Sequence, residues 1–192
     1  MRKIDAHAHL GYWGFPIPRA GTAESLVRMC EKYDMQYCVA SATLALTYDM
    51  QAGNEQMAEA VQRYAPILGY VYCNPNFLDA SVAEMERYLP EEGFVGVKIH
   101  GGYSGCATGG EKMRELMPEI AARAKVVKIH PAGADVPGTL AQYAAQYPSL
   151  NIIIAHALVS DYRTAAELAA RHRNVYLDFA CSWAGRGKIE YA

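Results

Sequence analysis

Seven short apolar runs recur along the chain at nearly even spacing, and this spacing constrains the fold more than any other feature. Each run has five to eight residues. Val and Ile are frequent in most of them, as in strands that are buried on both faces of a parallel sheet. Successive runs begin roughly 29 residues apart, which is about the length of one strand–helix unit. The runs are residues 3–10, 36–42, 67–73, 94–100, 126–130, 151–156 and 175–179.

The segments between the runs have the spacing and the end signals of helices. Thr22, Asn54 and Asp79 each precede apolar residues on one helical face, so they are predicted to cap three helices. Alternation of strand and helix predicts an all-parallel α/β sheet, either a (β/α)8 barrel or an open doubly wound sheet. No G-x-G-x-x-G sequence follows the first run, which argues against a dinucleotide-binding open sheet. No linker divides the chain, so residues 1–192 are expected to form one domain.

Composition narrows the class of protein. Apolar residues make up 52% of the chain and the net charge is −2, which argues against a disordered chain and gives no support for a nucleic-acid partner. No run of about 18 apolar residues is present, so no membrane span is predicted. Charged residues and a histidine stand near the N-terminus where a signal peptide would be apolar, which predicts a cytoplasmic protein.

Five of the six histidines lie at the C-terminal ends of predicted strands, and they are His7, His9, His100, His130 and His156. In parallel α/β folds this edge of the sheet is where active sites are built. His7 and His9 are two residues apart on one strand, so their side chains point to the same side. Such a pair, joined by a histidine from another strand, can supply the three protein ligands of a catalytic zinc site. Zinc in such a site lowers the pKa of a bound water to about 7.

Each of these residues also has a purely structural interpretation. A single strand-end histidine is more often a hydrogen-bonded buried group than a ligand, but burying five imidazoles without a shared purpose would cost desolvation at each one. His100 would hydrogen-bond either the substrate or a loop backbone. Lys98, on the same face as His100, would be either a carboxylated lysine that bridges two metals or a lysine paired with a carboxylate. Asp178 would be either a second-shell carboxylate that orients a ligand histidine or a structural buried acid.

The loop after the first run carries two candidate substrate-binding residues. Trp13 could stack on a flat substrate or pack over the rim of the barrel. Arg19 could bind a substrate carboxylate through both guanidinium nitrogens or remain exposed to solvent.

The residues around the histidines form four motifs in chain order. They read IDAHAHL at residues 4–10, VKIH at 97–100, VKIH again at 127–130, and IAH at 154–156. These motifs resemble those of the amidohydrolase superfamily, most closely its amidohydrolase-2 branch, which includes the aminocarboxymuconate-semialdehyde decarboxylase-like proteins. The resemblance extends from Lys3 to about Ala192. The motifs are fairly specific for the superfamily and not for a substrate.

The resemblance implies a metal-dependent (β/α)8 barrel of the TIM-barrel type. It implies that His7, His9 and His130 are ligands of the principal divalent metal, with zinc as the default ion. It implies that His156 is a catalytic histidine, or a ligand of a second metal where two are bound.

One part of the family pattern is not found in this sequence. The superfamily has an Asp at the end of the eighth strand, which is a metal ligand and, in the hydrolases, the general base. Only twelve residues, 181–192, follow the seventh run and its flanking residue. We therefore expect a barrel truncated to about seven βα units, with strand 8 missing and with low or no turnover. Open edges in such a barrel would favour association into a homo-oligomer.

Three functions with a small-molecule substrate are consistent with these observations. The first is a metal-dependent hydrolase of an amide, ester or lactone. The second is a metal-dependent, non-oxidative decarboxylase of an aromatic or unsaturated carboxylic acid on the same scaffold. The third is an inactive truncated remnant or binding module.

Overall fold

The computed structural model describes residues 3–14, 21–180 and 187–191. Seven strands form one parallel sheet in which each strand pairs with the next along the chain. This sequential order is that of a barrel, because an open doubly wound sheet reverses its strand order at a switch point. The strands are β1 (Ile4–Leu10), β2 (Tyr37–Ala42), β3 (Ile67–Tyr72), β4 (Phe94–His100), β5 (Val126–His130), β6 (Asn151–Ile154) and β7 (Val175–Leu177).

Helices alternate with these strands, as the spacing predicts. The helices are α1 (Ala23–Lys32), α2 (Thr43–Thr47), α3 (Met50–Arg63), α4 (Leu78–Tyr88), α5 (Gly101–Ser104), α6 (Glu111–Arg123), α7 (Val136–Gln146), α8 (Tyr162–Arg171) and α9 (Lys188–Tyr191). No helix in the described part of the chain combines the length and the apolar character that crossing a membrane requires.

The sheet is curled, so that its two edges approach each other across the interior. Within the described residues β1 and β7 are not hydrogen-bonded to each other. The His7 side chain of β1 nevertheless contacts Asp178, the residue after β7, with 3.1 Å between Nδ1 and Oδ1. The prediction of a (β/α)8-type barrel with seven strands is therefore confirmed over the described residues.

The core lies between the sheet and the helices that cover it. Val71, Val97 and Val127 on neighbouring strands have no exposed surface, and Leu116 and Ile120 of α6 are equally buried. Full burial of one such side chain contributes about 1.5–3 kcal/mol. The strands of the sheet are therefore supported by closely packed apolar side chains between the sheet and the helices.

The predicted helix caps are only partly confirmed. Thr22 caps α1, since its Oγ1 accepts a hydrogen bond from the Ser25 backbone N–H at 3.2 Å. The prediction for Asn54 is wrong, because α3 begins earlier and Asp49 caps it. Asn54 lies inside α3, is buried, and pairs with both backbone groups of Tyr72 at the end of β3. Asp79 is also not a cap, because it lies in the first turn of α4.

The connection from β6 to α8 has an uncommon backbone conformation. His156, Ala157, Leu158 and Val159 all have positive φ, between 45° and 59°. This left-handed region costs residues other than glycine of the order of 1–2 kcal/mol each. The cost is largest for a β-branched residue such as Val159. This segment carries His156, so the strain is located next to the histidine cluster.

Replacing Val159 by glycine is expected to stabilise the protein by about 1 kcal/mol relative to Val159→Ala, because glycine adopts positive φ without strain. Urea unfolding of both variants measures the difference. The alanine variant is the matched control, since it removes the same branched carbons and keeps the Cβ atom. Equal stability of the two variants would show that the segment is not strained.

Candidate metal and substrate site

The five strand-end histidines lie together at the C-terminal edge of the sheet. The ring centroids of His7 and His9 are 5.1 Å apart, and those of His7 and His156 are 4.8 Å apart. The His130 ring lies 4.9 Å from the His156 ring and 3.9 Å from the His100 ring. Separate strands thus deliver their imidazoles to one continuous cluster.

His7 is held in one orientation by hydrogen bonds at its backbone and its ring. The pairing of β1 with β2 is irregular between Asp5 and Ala8, and the His7 backbone N–H there donates to the Asp5 carboxylate at 2.8 Å. The ring Nδ1 lies 3.1 Å from Asp178 Oδ1, which accepts its proton and leaves the lone pair on Nε2. Burial lowers the pKa of His7 to about 3, although Asp178 opposes the shift. The ring is therefore neutral and suited to bind a cation through Nε2.

Asp178 connects several parts of the cluster. Its Oδ1 accepts hydrogen bonds from the backbone N–H groups of His156 and Ala180, both at 3.1 Å, in addition to the bond from His7. Its Oδ2 lies 2.6 Å from the Lys128 ammonium group. Burial opposes ionisation, but the His7 hydrogen bond and the Lys128 charge together hold the pKa of Asp178 far below its usual range. Asp178 thus contacts His7, as the second-shell interpretation expects, and forms a buried ion pair, as the structural interpretation expects.

Two lysines occupy the interior below the histidines. Lys98 and Lys128 are paired in register on β4 and β5, and neither has exposed surface. Lys128 forms the ion pair with Asp178 and donates a hydrogen bond to the Ala6 carbonyl at 2.8 Å. The expected carboxylate partner of Lys98 is not found among the described ion pairs, because Asp178 lies against the neighbouring lysine instead. Lys98 Nζ is 3.4 Å from His7 Nε2, and burial and the charge of Lys128 lower the pKa of Lys98 to about 7.

Lys128 is the residue of this network to which the sequence analysis assigned no role. A signal was present, since the VKIH motif occurs twice and places Lys128 where the other copy has Lys98. In-register parallel strands bring equivalent motif positions side by side. The repeated motif therefore indicated that both lysines share the interior.

His9 lies on the side of the cluster nearest β2. The Ser41 hydroxyl is 3.3 Å from His9 Nδ1, and the Trp13 ring stands edge-on to the His9 ring with 4.8 Å between centroids. Burial and the nearby Lys98 charge lower the pKa of His9 well below its ordinary value. Trp13 thus covers a histidine of the cluster.

His130 has a polar atom that the protein does not satisfy within the described residues. Its Nδ1 is buried and has no hydrogen-bond partner there. Burial and the Lys98 charge lower the pKa of His130 to about 4, so the ring is neutral. Buried polar groups are otherwise hydrogen-bonded. A buried, neutral imidazole nitrogen without a hydrogen-bond partner is therefore typical of a metal ligand whose ion is absent.

The donor set fits a divalent metal ion. Ligating atoms of His7, His156 and Asp178 all lie within 4.8 Å of one another, and the unsatisfied His130 Nδ1 adds a further imidazole to the cluster. Imidazole and carboxylate together suit zinc, manganese or iron. The implied ligand set of His7, His9 and His130 stays a prediction.

A cleft of about 230 Å³ opens beside the cluster, between the loops that follow β5 and β6. His130 and His156 are among the residues that line it. Its apolar walls include Pro131, Val136, Pro137, Leu158 and Val159. The Trp13 ring stacks on Tyr103, with 5.7 Å between the ring centroids. The predicted substrate contact at Arg19 lies outside the described residues.

The chain is similar to one known protein family. Residues 4–188 match the amidohydrolase family, in its amidohydrolase-2 branch. No curated protein shows significant similarity to the chain.

Three solved structures illustrate the likeness of fold. A putative amidohydrolase from Staphylococcus aureus aligns with a TM-score of 0.72 at 16% identity, covering 100% of this chain and 83% of that one. A probable 2-pyrone-4,6-dicarboxylic acid hydrolase from Acinetobacter baumannii, with citric acid bound, aligns with a TM-score of 0.62 at 18% identity, covering 100% and 76%. A 5-carboxyvanillate decarboxylase from Novosphingobium aromaticivorans, complexed with manganese, aligns with a TM-score of 0.58 at 15% identity, covering 92% and 74%. With its family match spanning residues 4–188, the chain belongs to the amidohydrolase-2 family.

Proposed function

We propose that this protein is a metal-dependent hydrolase of an amide, ester or lactone, with the histidine cluster as its active site. The observation that carries the proposal is the protonation pattern of His156. Its Nδ1 faces the Ala180 carbonyl, which can only accept a hydrogen bond, so Nδ1 carries a proton, and in the neutral ring the lone pair is then on Nε2. An imidazole held in this way can accept a proton from a water nucleophile.

The residues that would hold the metal are those of the cluster. The proposed ligands are His7, His9 and His130, with His156 and Asp178 close enough to contribute. A divalent ion bound there would supply a Lewis acid that polarises the substrate carbonyl and acidifies water. Zinc is the proposed ion because imidazoles dominate the donor set. Manganese is the alternative, since a structural neighbour contains it.

The other residues orient these groups. Asp178 accepts hydrogen bonds from the His7 ring and the His156 backbone, so one carboxylate fixes the positions of both histidines. Lys128 keeps that carboxylate ionised. The cleft beside His130 and His156 has the volume of a single small ring with substituents, because a cavity of about 150 Å³ already holds benzene. A lactone or a small aromatic compound would fit this size.

A decarboxylase of an aromatic or unsaturated carboxylic acid is the second candidate, and the state of Asp178 favours it. This carboxylate accepts three hydrogen bonds and forms one ion pair. Its pKa is far below the usual range for an aspartate. It is therefore a poor base for activating water. Decarboxylation needs a proton delivered to carbon rather than a base acting on water, so this reaction would not depend on Asp178 as a base.

An assay on three compounds distinguishes the candidates. The protein, loaded with zinc or manganese, is incubated with 2-pyrone-4,6-dicarboxylate, 2,6-dihydroxybenzoate and 5-carboxyvanillate. Ring opening is followed by absorbance, and carbon dioxide release is measured directly. We expect ring opening of the pyrone without carbon dioxide release. Replacing His156 by glutamine should slow it by about 100- to 10,000-fold, while His172→Gln, outside the cluster, should leave it unchanged.

The other outcomes are equally informative. Carbon dioxide release from either benzoate would overturn the hydrolase in favour of the decarboxylase. A metal-loaded protein that transforms none of the three compounds would argue for the binding module.

A further inference from the structure

An aromatic contact joins the segment after β1 to the segment after β4. In the sheet, β2 and β3 lie between these two strands. Trp13 follows β1 and Tyr103 lies in α5, directly after β4, yet their rings stack with 5.7 Å between centroids and 29° between planes. The two side chains therefore close a gap that is two strands wide.

Each ring of this pair also lies against a histidine of the cluster. The Trp13 ring stands edge-on to the His9 ring, with 4.8 Å between centroids. The Tyr103 ring lies 4.5 Å from the His100 ring, and His100 is only 9% exposed. The pair thus covers histidines that belong to β1 and β4.

Hydrogen bonds hold both ends of the pair in place. At the tyrosine end, the Ser104 carbonyl accepts a hydrogen bond from Asn76 Nδ2 at 2.7 Å, which ties α5 to the loop after β3. At the tryptophan end, the Gly11 backbone N–H donates to the Gly21 carbonyl at 2.7 Å. This bond closes the base of the segment that carries Trp13, so the contact between the rings is supported from both sides.

The histidines of β5 and β6 have different surroundings. His130 and His156 line the cleft of about 230 Å³ between the loops after β5 and β6. Neither Trp13 nor Tyr103 is among the described residues that line this cleft. One part of the cluster is therefore covered by aromatic rings, and another part faces an open cleft.

We propose that Trp13 and Tyr103 form a strap that closes one side of the barrel mouth and thereby determines specificity. A substrate then reaches the cluster through the cleft between the loops after β5 and β6, with its reacting group towards His130 and His156. The strap limits the orientations in which a substrate can meet the histidines, and orientation is a large part of catalysis. It also keeps water from the covered histidines. The proposal rests on the proposed function only in taking the cluster as the active site.

Labelling with diethyl pyrocarbonate tests the strap, because this reagent acylates the neutral imidazoles that it can reach. The metal-free, full-length protein is labelled, and peptide mass spectrometry gives the rate at each histidine. We expect His130 and His156 to be labelled at least about 10-fold faster than His9 and His100, because covered groups react only through local opening. This measurement needs no substrate and no turnover.

Two substitutions should change the labelling at different histidines. Tyr103→Ala removes the ring and keeps the backbone N–H, so labelling of His9 and His100 should rise at least about 10-fold while the cleft histidines stay within about 2-fold. Val136→Trp fills the cleft from its wall and should slow labelling of the cleft histidines. Tyr103→Phe keeps the ring and should label like the wild-type protein. So should Tyr48→Ala, which removes a tyrosine that is 90% exposed at the end of α2.

Three results would contradict the strap. They are equal labelling of the four histidines in the wild-type protein, unchanged labelling of His9 and His100 in Tyr103→Ala, and an equal rise at every histidine of that variant, which would show general loosening. Failure of this inference is distinguishable from failure of the proposed function. The expected labelling in a protein without turnover refutes only the function, whereas turnover with equal labelling refutes only the strap.

Discussion

Replacing Lys128 by methionine should lower the free energy of unfolding by about 3–5 kcal/mol, because one partner of a buried ion pair is lost. Lys128 has no exposed surface, and its ammonium group lies 2.6 Å from Asp178 Oδ2. Methionine has a similar length and leaves little empty space. The Asp178 carboxylate, only 10% exposed, would then be charged without a cation, and the Ala6 carbonyl would lose its donor.

A second substitution separates charge from packing. Asp178→Asn in the Lys128→Met background removes the uncompensated charge, so it should recover a large part of the lost stability. Arg171→Met is the surface control, since it breaks the exposed Arg171–Glu167 pair and should cost less than about 1 kcal/mol. Urea unfolding measures all of these variants. A Lys128→Met protein within 1 kcal/mol of wild type would contradict the interpretation of the network.

The Lys128 network joins the stability of the barrel to the geometry of the site. Lys128 on β5 contacts the backbone of β1 and the carboxylate that follows β7. That carboxylate orients His7 and the His156 backbone. The Tyr70 hydroxyl of β3 donates to the same Ala6 carbonyl at 3.2 Å. Interior polar groups from separate strands therefore hold the two edges of the sheet at the distance that the histidine cluster requires.

The strands were predictable because buried parallel strands are continuous apolar runs. All seven were identified from the sequence. The predicted starts of the first two are each one residue early, and the predicted ends of the third, sixth and seventh are one or two residues late. The end of β6 was less predictable. The chain leaves the sheet after Ile154 through the segment with positive φ. That segment contains no glycine, so nothing in the sequence predicted its positive φ angles.

The positions of the site residues along the chain were predictable from the sequence, but the groups that these residues contact were not. A histidine at a strand end is visible in the sequence, and the gathering of five of them follows from parallel topology. The carboxylate could not be assigned to Lys128 rather than Lys98, because both lysines occupy equivalent motif positions. The contact between the Tyr103 N–H and His100 depends on the short helix α5 after β4, where the sequence analysis expected a loop backbone as one of two partners of His100. Asn54 was misassigned because its partner, Tyr72, is distant in sequence.

The central claim is that imidazoles from separate strands coordinate a single divalent cation. Calorimetric titration with zinc tests this claim most directly. The His7→Ala, His9→Ala double variant removes two proposed ligands from β1, while His172→Ala removes a histidine just after α8 that is not among the contacts of the cluster. We predict that the wild-type protein and His172→Ala bind zinc with the same affinity. The double variant should bind at least about 100-fold more weakly. Equal zinc affinity of all three proteins would contradict the account.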